Sequence, residues 1–123
     1  LGQALSGACR MRGLHHVVTD RATLPLDDPE AIGRVLDRVR PWAVVNAAGW
    51  VRVDDAEEEA DACYRANADG AAALAAACAE RDIHCTLFSS DLVFGDDRVE
   101  PRCERAGVHP LNVYGASKAA AEA

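Results

Sequence analysis

The residues able to do chemistry gather in three short stretches. The last is Tyr114-Gly115-Ala116-Ser117-Lys118. On a helix, Tyr114 and Lys118 stand four apart and share a face. A phenol ordinarily titrates near pH ~10 and carries protons poorly at neutral pH. An ammonium beside it favours the phenolate and lowers that pKa. The pair then suits proton transfer to or from an alcohol or a ketone. Taken alone, Tyr-x-x-x-Lys is a common spacing, and a solvated helix face explains it as well.

The second stretch is Ser89-Ser90-Asp91. A hydroxyl there can hydrogen-bond a substrate oxygen, or it can satisfy backbone groups where a strand turns into a loop. The third is Asn46-Ala47-Ala48-Gly49. Its small residues let a flat or phosphorylated ligand approach the backbone, although such tetrapeptides also end ordinary strands.

These groups matter only if the scaffold gathers them. Residues 15–19, with two β-branched valines, read as a buried strand ending at Asp20. Asp27-Asp28-Pro29-Glu30 is a helix start: Asp can cap free amides, Pro fits the first turn, and Glu suits the positive end. Ile32, Val35, Leu36 and Val39 then fall on one face, and Pro41 ends that helix. Residues 43–48 predict a second buried strand, and 83–88 a third. Between them a long helix is expected over 54–81, with Asn67, Ala71, Leu74 and Cys78 on one face. Residues 91–111 read as mostly loop and 114–123 as a helix. Strands alternating with helices predict an α/β fold with βαβ units and a parallel sheet. In such sheets ligands bind beyond the carboxyl ends of the strands, where all three stretches fall.

Composition narrows the function. A net charge of −7 on 123 residues, with no Lys/Arg cluster, disfavours nucleic acid and anionic membranes as partners. No apolar run approaches the roughly 20 residues of a membrane helix, and no secretory leader is visible. The five cysteines lack zinc or redox-dithiol spacing and read as reduced thiols of a cytoplasmic protein. The four histidines are not arranged as a metal site.

In combination and order, the motifs resemble the extended short-chain dehydrogenases/reductases, and within them the dTDP-4-dehydrorhamnose reductases. Arg40-Pro41-Trp42-Ala43-Val44-Val45-Asn46-Ala47-Ala48 is similar to that family's "RPDVVINAA". Val53-Asp54-Asp55-Ala56-Glu57 is similar to "VDKAE", and Asn67-Ala68-Asp69-Gly70 to the Asn-bearing start of its next helical segment. Ser89-Ser90-Asp91-Leu92-Val93-Phe94 resembles "STDYVF". Pro110-Leu111-Asn112-Val113-Tyr114-Gly115 with Ser117-Lys118 resembles "PLNVYGxSK".

The resemblance implies a Rossmann-like doubly wound parallel sheet binding NADPH or NADH, and a nucleotide-sugar substrate, a dTDP-sugar. Tyr114 would protonate a sugar 4-keto oxygen while the cofactor delivers hydride. Lys118 would bond the nicotinamide ribose, and Ser90, where the family has Thr, would orient the carbonyl. Asn46, Ala47, Ala48 and Gly49 would line the cofactor groove, with Ser89 near the nicotinamide. Asn67 matches a helix asparagine that helps order the active site. Asp20 would sit near the adenosine ribose and favour NADH by repelling a 2′-phosphate. Leu1-Gly2-Gln3-Ala4-Leu5 resembles the tail of "GQLGxxL", so Gly2 would be the last fingerprint glycine.

The chain also departs from the family. Gly49-Trp50-Val51 replaces Ala-Tyr-Thr or Ala-His-Thr, Leu92 replaces Tyr, and Gly95-Asp96 stands where the family has Asp-Gly. Pro25 lies where an adenine-side Asp is usual. These changes leave the sugar open. Residues 1–123 are expected to be a partial NAD(P)-binding domain, an incomplete sheet without its first strand and without a C-terminal substrate domain. That strand would lie between residues 15–19 and 43–48, and such a fragment is expected to be neither stably folded nor active alone. A homodimer or fusion to another enzyme domain is compatible with these features. A nucleotide-sugar epimerase or dehydratase would share Ser90, Tyr114 and Lys118. A non-catalytic NADP-binding regulatory subunit is the alternative from another class.

Overall fold

The computed structural model describes residues 1–95 and 101–123. The expected Gly95-Asp96 departure therefore lies partly outside the described residues, as does the middle of the 91–111 loop. The fold is α/β, with a parallel sheet and helices. It divides into two compact units, one of Leu1–Ala48 and Gly70–Leu87, the other of Gly49–Asp69 and Phe88–Ala123.

The first unit holds α1 (Gly2–Met11), α2 (Pro29–Val39), β1 (Ala43–Val45), α4 (Gly70–Ala79) and β2 (His84–Thr86). Helix α2 starts where the sequence places it. Asp28 accepts the Ala31 amide at 2.9 Å, and Pro29 takes the first turn, where its missing N–H is no loss. At the other end Arg40 turns left-handed (φ 46°) and donates to Leu36 O at 2.8 Å, and Pro41 prevents continuation. Strands β1 and β2 run parallel with Val44 opposite Cys85, and Asn46 N extends the ladder to Thr86 O at 2.9 Å. The core joins Ile32 and Leu36 of α2 to Leu74 and Cys78 of α4, with Val44, Ile83 and Cys85 packed against them. Each fully buried aliphatic side chain of this kind contributes roughly 1.5–3 kcal/mol. Arg81 clasps Asp37 through two nitrogens, at 2.7 and 3.4 Å, fastening the end of α4 to α2.

The strand expected at residues 15–19 is not formed. Val17 and Val18 stand 55 % and 66 % exposed, and no described strand pairs with this stretch. A strand exists through its partner's hydrogen bonds. Without a ladder, the two valines have no sheet face to pack on. The segment is held instead at Ser6, whose hydroxyl lies 2.9 Å from His16 Nε2, and at the turn after Asp20.

The second unit holds α3 (Ala60–Tyr64) and α5 (Val113–Ala120), with 3-10 turns at Asp54–Glu57 and Asp91–Val93 and a π turn at Arg65–Asp69. The single long helix expected over 54–81 is thus broken into pieces. Glu59 leaves helical geometry (φ −118°, ψ 43°), and Arg52 pairs with Asp55 at 3.0 Å and Glu59 at 3.7 Å across that break. The π turn falls at Asn67, which is buried with polar partners of its own, and π turns often mark such places. Apolar periodicity alone does not distinguish these turns from α-helix. Helix α5 starts at Asn112, whose side chain accepts the Gly115 amide at 2.6 Å, and Val113 N donates to Glu57 Oε1 at 2.8 Å. No helix among the described residues is long and apolar enough to cross a membrane.

Candidate functional site

In the second unit, Gly49 and the hydroxyl-bearing turn are each tied to a helical segment. Tyr114 and Lys118 occupy successive turns of α5, both half-buried. Gly115 brings this helix onto the 3-10 turn that Ser90 begins. A Cβ at position 115 would run into the Leu92 carbonyl, so no other residue permits the approach. Ser90 caps that turn, its Oγ accepting from Leu92 N at 3.2 Å and donating to Asp91 Oδ1 at 3.1 Å. Ser89 Oγ donates to Glu122, which stands one turn beyond Lys118. Burial pushes the Lys118 ammonium below its ordinary pKa, opposed by the charges of Glu122 and then Cys63.

Gly49 and Asn67 meet in the same unit. Asn67 is 2 % exposed, and its Oδ1 accepts the Trp50 amide at 2.7 Å. A Cβ on Gly49 would stand 2.8 Å from that oxygen. On its other side the Asn67 amide nitrogen donates to Ser117 Oγ at 2.9 Å and Cys63 Sγ at 3.7 Å. Trp50 in turn carries Arg52 over its ring at 4.7 Å, and its indole N–H donates to Arg52 O at 2.6 Å. Sequence reasoning did not single out Cys63 or Ser117 as members of this cluster. The i, i+4 spacing of Cys63 and Asn67 on a helical segment was the available signal, and both residue types are as common in plain cores.

The remaining candidates lie in the first unit. Asn46 ends β1, and its side chain folds back to accept the Ala48 amide at 3.0 Å. Ala47 and Ala48 are exposed there. Gly2, at the start of α1, faces Ala47: a Cβ on it would lie 3.6 Å from the alanine methyl. Asp20 is exposed, and its Oδ1 holds the following turn through Ala22 N (3.1 Å), Thr23 N (2.9 Å) and Thr23 Oγ1 (2.7 Å). The Thr23 hydroxyl is the main cause of its lowered pKa, which keeps the carboxylate charged. Of these five positions the structure brings Gly2 and the end of β1 together, whereas Asp20 stands on its own turn.

Known proteins resemble this chain in sequence and in fold. A reductase of dTDP-4-keto-6-deoxy-D-glucose from Streptomyces niveus is 38 % identical over 114 residues, 91 % of this chain and 40 % of that protein. A dTDP-4-dehydrorhamnose reductase of Aggregatibacter actinomycetemcomitans is 31 % identical over 99 % of this chain and 42 % of its own length. The crystal structure of the Bacillus anthracis dTDP-4-dehydrorhamnose reductase, in complex with NADP, superposes with a TM-score of 0.94 at 31 % identity, covering 98 % of this chain and 43 % of that one. The chain thus spans about two-fifths of the length of these relatives. The fold is Rossmann-like, as these neighbours are. The family model described as the RmlD substrate binding domain matches residues 1–123, and the chain belongs to that family.

Proposed function

We propose that the protein carrying this chain reduces the 4-keto group of a dTDP-linked 6-deoxy sugar with NADPH or NADH. The observation that carries this reading is the α5 helix, where Tyr114 and Lys118 share a face while Gly115 presses the same turn onto the segment capped by Ser90. The residues fit a dinucleotide. Ala47, Ala48 and Gly2 leave the end of β1 free of bulk, and the first turn of α1 carries no acidic residue to repel a phosphate.

Bound nicotinamide cofactor supplies the hydride. The work of the chain is to hold the ketone and deliver the proton. Ser90 Oγ turns its hydrogen from Asp91 to the keto oxygen and orients it. Tyr114 Oη gives that oxygen its proton. Lys118 stabilises the phenolate left behind and bonds the nicotinamide ribose. Asn46, Ala47 and Ala48 at the end of β1 would line the cofactor groove. The charged Asp20 carboxylate repels a 2′-phosphate, which favours NADH. The five unpaired cysteines suit a cytoplasmic, reducing setting for such a biosynthetic enzyme.

The test uses the complete open reading frame that contains this chain. NAD(P)H consumption is followed with dTDP-4-keto-6-deoxy-L-mannose and with dTDP-4-keto-6-deoxy-D-glucose, beside Tyr114→Phe. Turnover that falls by roughly a hundredfold or more in the variant supports the assignment. Cofactor binding without turnover of either ketone would overturn it in favour of another nucleotide-sugar reaction or a regulatory role.

A further inference from the structure

Ser117 sits inside the Tyr114–Lys118 pair and is 0 % exposed. Its hydroxyl donates to the Tyr114 carbonyl at 2.7 Å. It accepts from Asn67 Nδ2 at 2.9 Å, and Cys63 Sγ lies 3.3 Å away. A serine hydroxyl has one proton and two lone pairs. With the proton committed to Tyr114, the Cys63 thiol must be the donor, and the hydroxyl is fully used. The carbonyl it holds is the one that helical pairing assigns to the Lys118 amide. One buried atom therefore holds the Tyr114 carbonyl, the same oxygen to which the Lys118 amide is assigned. Asn67 continues the chain of bonds to the Trp50 amide, beside Gly49.

We propose, resting on the reading of Tyr114 as proton donor, that Ser117 is a positioning residue: its buried hydroxyl, anchored by Asn67 and Cys63, fixes the first turn of α5 and with it the placement of the Tyr114 phenol relative to Lys118. Asn67 belongs to the same device, with its amide turned to Trp50, Ser117 and Cys63. Neutral hydrogen bonds in such a closed, buried set support one another, and each partner removed leaves others unpaired.

The test is Ser117→Ala in the complete protein, with Leu74→Ala as a control that weakens the core of the first unit and is not a member of this network. In Ser117→Ala, kcat falls roughly tenfold to a hundredfold while KM for the cofactor stays within about twofold. A purely structural loss would leave kcat per folded molecule unchanged, so the split between kcat and KM separates positioning from stability. Leu74→Ala lowers the melting temperature and leaves kcat per folded molecule in place. A folded Ser117→Ala protein with parental kcat overturns the proposal. So does a loss confined to melting temperature. Should Ser117→Ala fail to fold, Ser117→Cys, with a weaker donor of similar reach, takes its place with the same readouts. Hydrogen exchange of the α5 amides reads the anchoring of this turn without any substrate. If no ketone is turned over, the reductase reading fails, while faster exchange of these amides in the Ser117 variant still supports the positioning role and unchanged exchange still refutes it.

Discussion

Gly49 and Asn67 approach so closely that a β-carbon at position 49 would stand 2.8 Å from Asn67 Oδ1, the atom that accepts the Trp50 amide at 2.7 Å. The glycine and the buried amide form a matched pair in this chain. Gly49→Ala forces Asn67 to yield and leaves polar groups unpaired in a buried place. We expect a loss of about 1–3 kcal/mol in unfolding free energy. Denaturant midpoints measure it, and a variant as stable as the parent would show that the turn relaxes freely.

Gly115 holds a harder constraint, because the obstacle is the Leu92 main-chain carbonyl and not a side chain. Gly115→Ala must lift α5 off the turn that Ser90 begins. A destabilisation of about 1–3 kcal/mol is expected from the overpacking. Turnover should fall by more than the loss of folded protein explains, since Tyr114 moves with the helix. Specific activity corrected for the folded fraction decides; a fall that matches that fraction alone would refute the link to Tyr114.

Alkaline pH should weaken the first unit. Burial, with Cys85 adding to it, raises the Cys78 thiol from 9.0 to about 11. Burial likewise raises the Cys85 thiol. An unfolded thiol gives up its proton near 9 while the folded one keeps it. Between pH 9 and about 11 the unfolded state therefore binds fewer protons, and stability falls as pH rises. Lys118 acts in the opposite sense, because its lowered pKa makes the unfolded state bind more protons up to 10.5. Unfolding midpoints across this window should drop in the parent and drop less in Cys78→Ala. An equal slope in both would remove the thiol as the cause.

Asp28 is the simplest case. Its side chain caps α2 at the Ala31 amide, 2.9 Å away. Asp28→Ala should lower stability by about 1 kcal/mol, and Asp28→Asn by much less because the acceptor oxygen survives. Thermal melts distinguish them, and equal losses would assign the effect to the Arg34 ion pair at 3.5 Å instead of the cap.

Much of the scaffold was legible because it rests on local chemistry. The Asp28-Pro29 start, the Pro41 stop, the strand cores at Ala43–Val45 and His84–Thr86 and the buried face of Ala71, Leu74 and Cys78 each follow from a cap, a ring or a short apolar run. The failures are also physical. Residues 15–19 have strand composition but no ladder partner. The expected helix over 54–81 has helical periodicity, but Glu59 and the buried Asn67 bend it into 3-10 and π turns. Asp20 reads as a carboxylate beyond a strand end, and its Oδ1 is engaged in its own turn.

The sequence by itself determined the α/β class, the order of the elements and the residue types of the Tyr114–Lys118 pair, since period, capping and i, i+4 spacing are properties of neighbours along the chain. Only the tertiary structure decided that Ser117 is the buried node beneath that pair, that Gly115 and Gly49 are glycines because a carbonyl and an amide oxygen occupy their β-carbon positions, and that the valines of residues 15–19 stand exposed. Each of these depends on atoms brought close from distant positions, over separations of 50 residues in the case of Asn67 and Ser117. No local pattern encodes contacts of that kind, because they arise only when packing chooses which polar atoms share a water-free space.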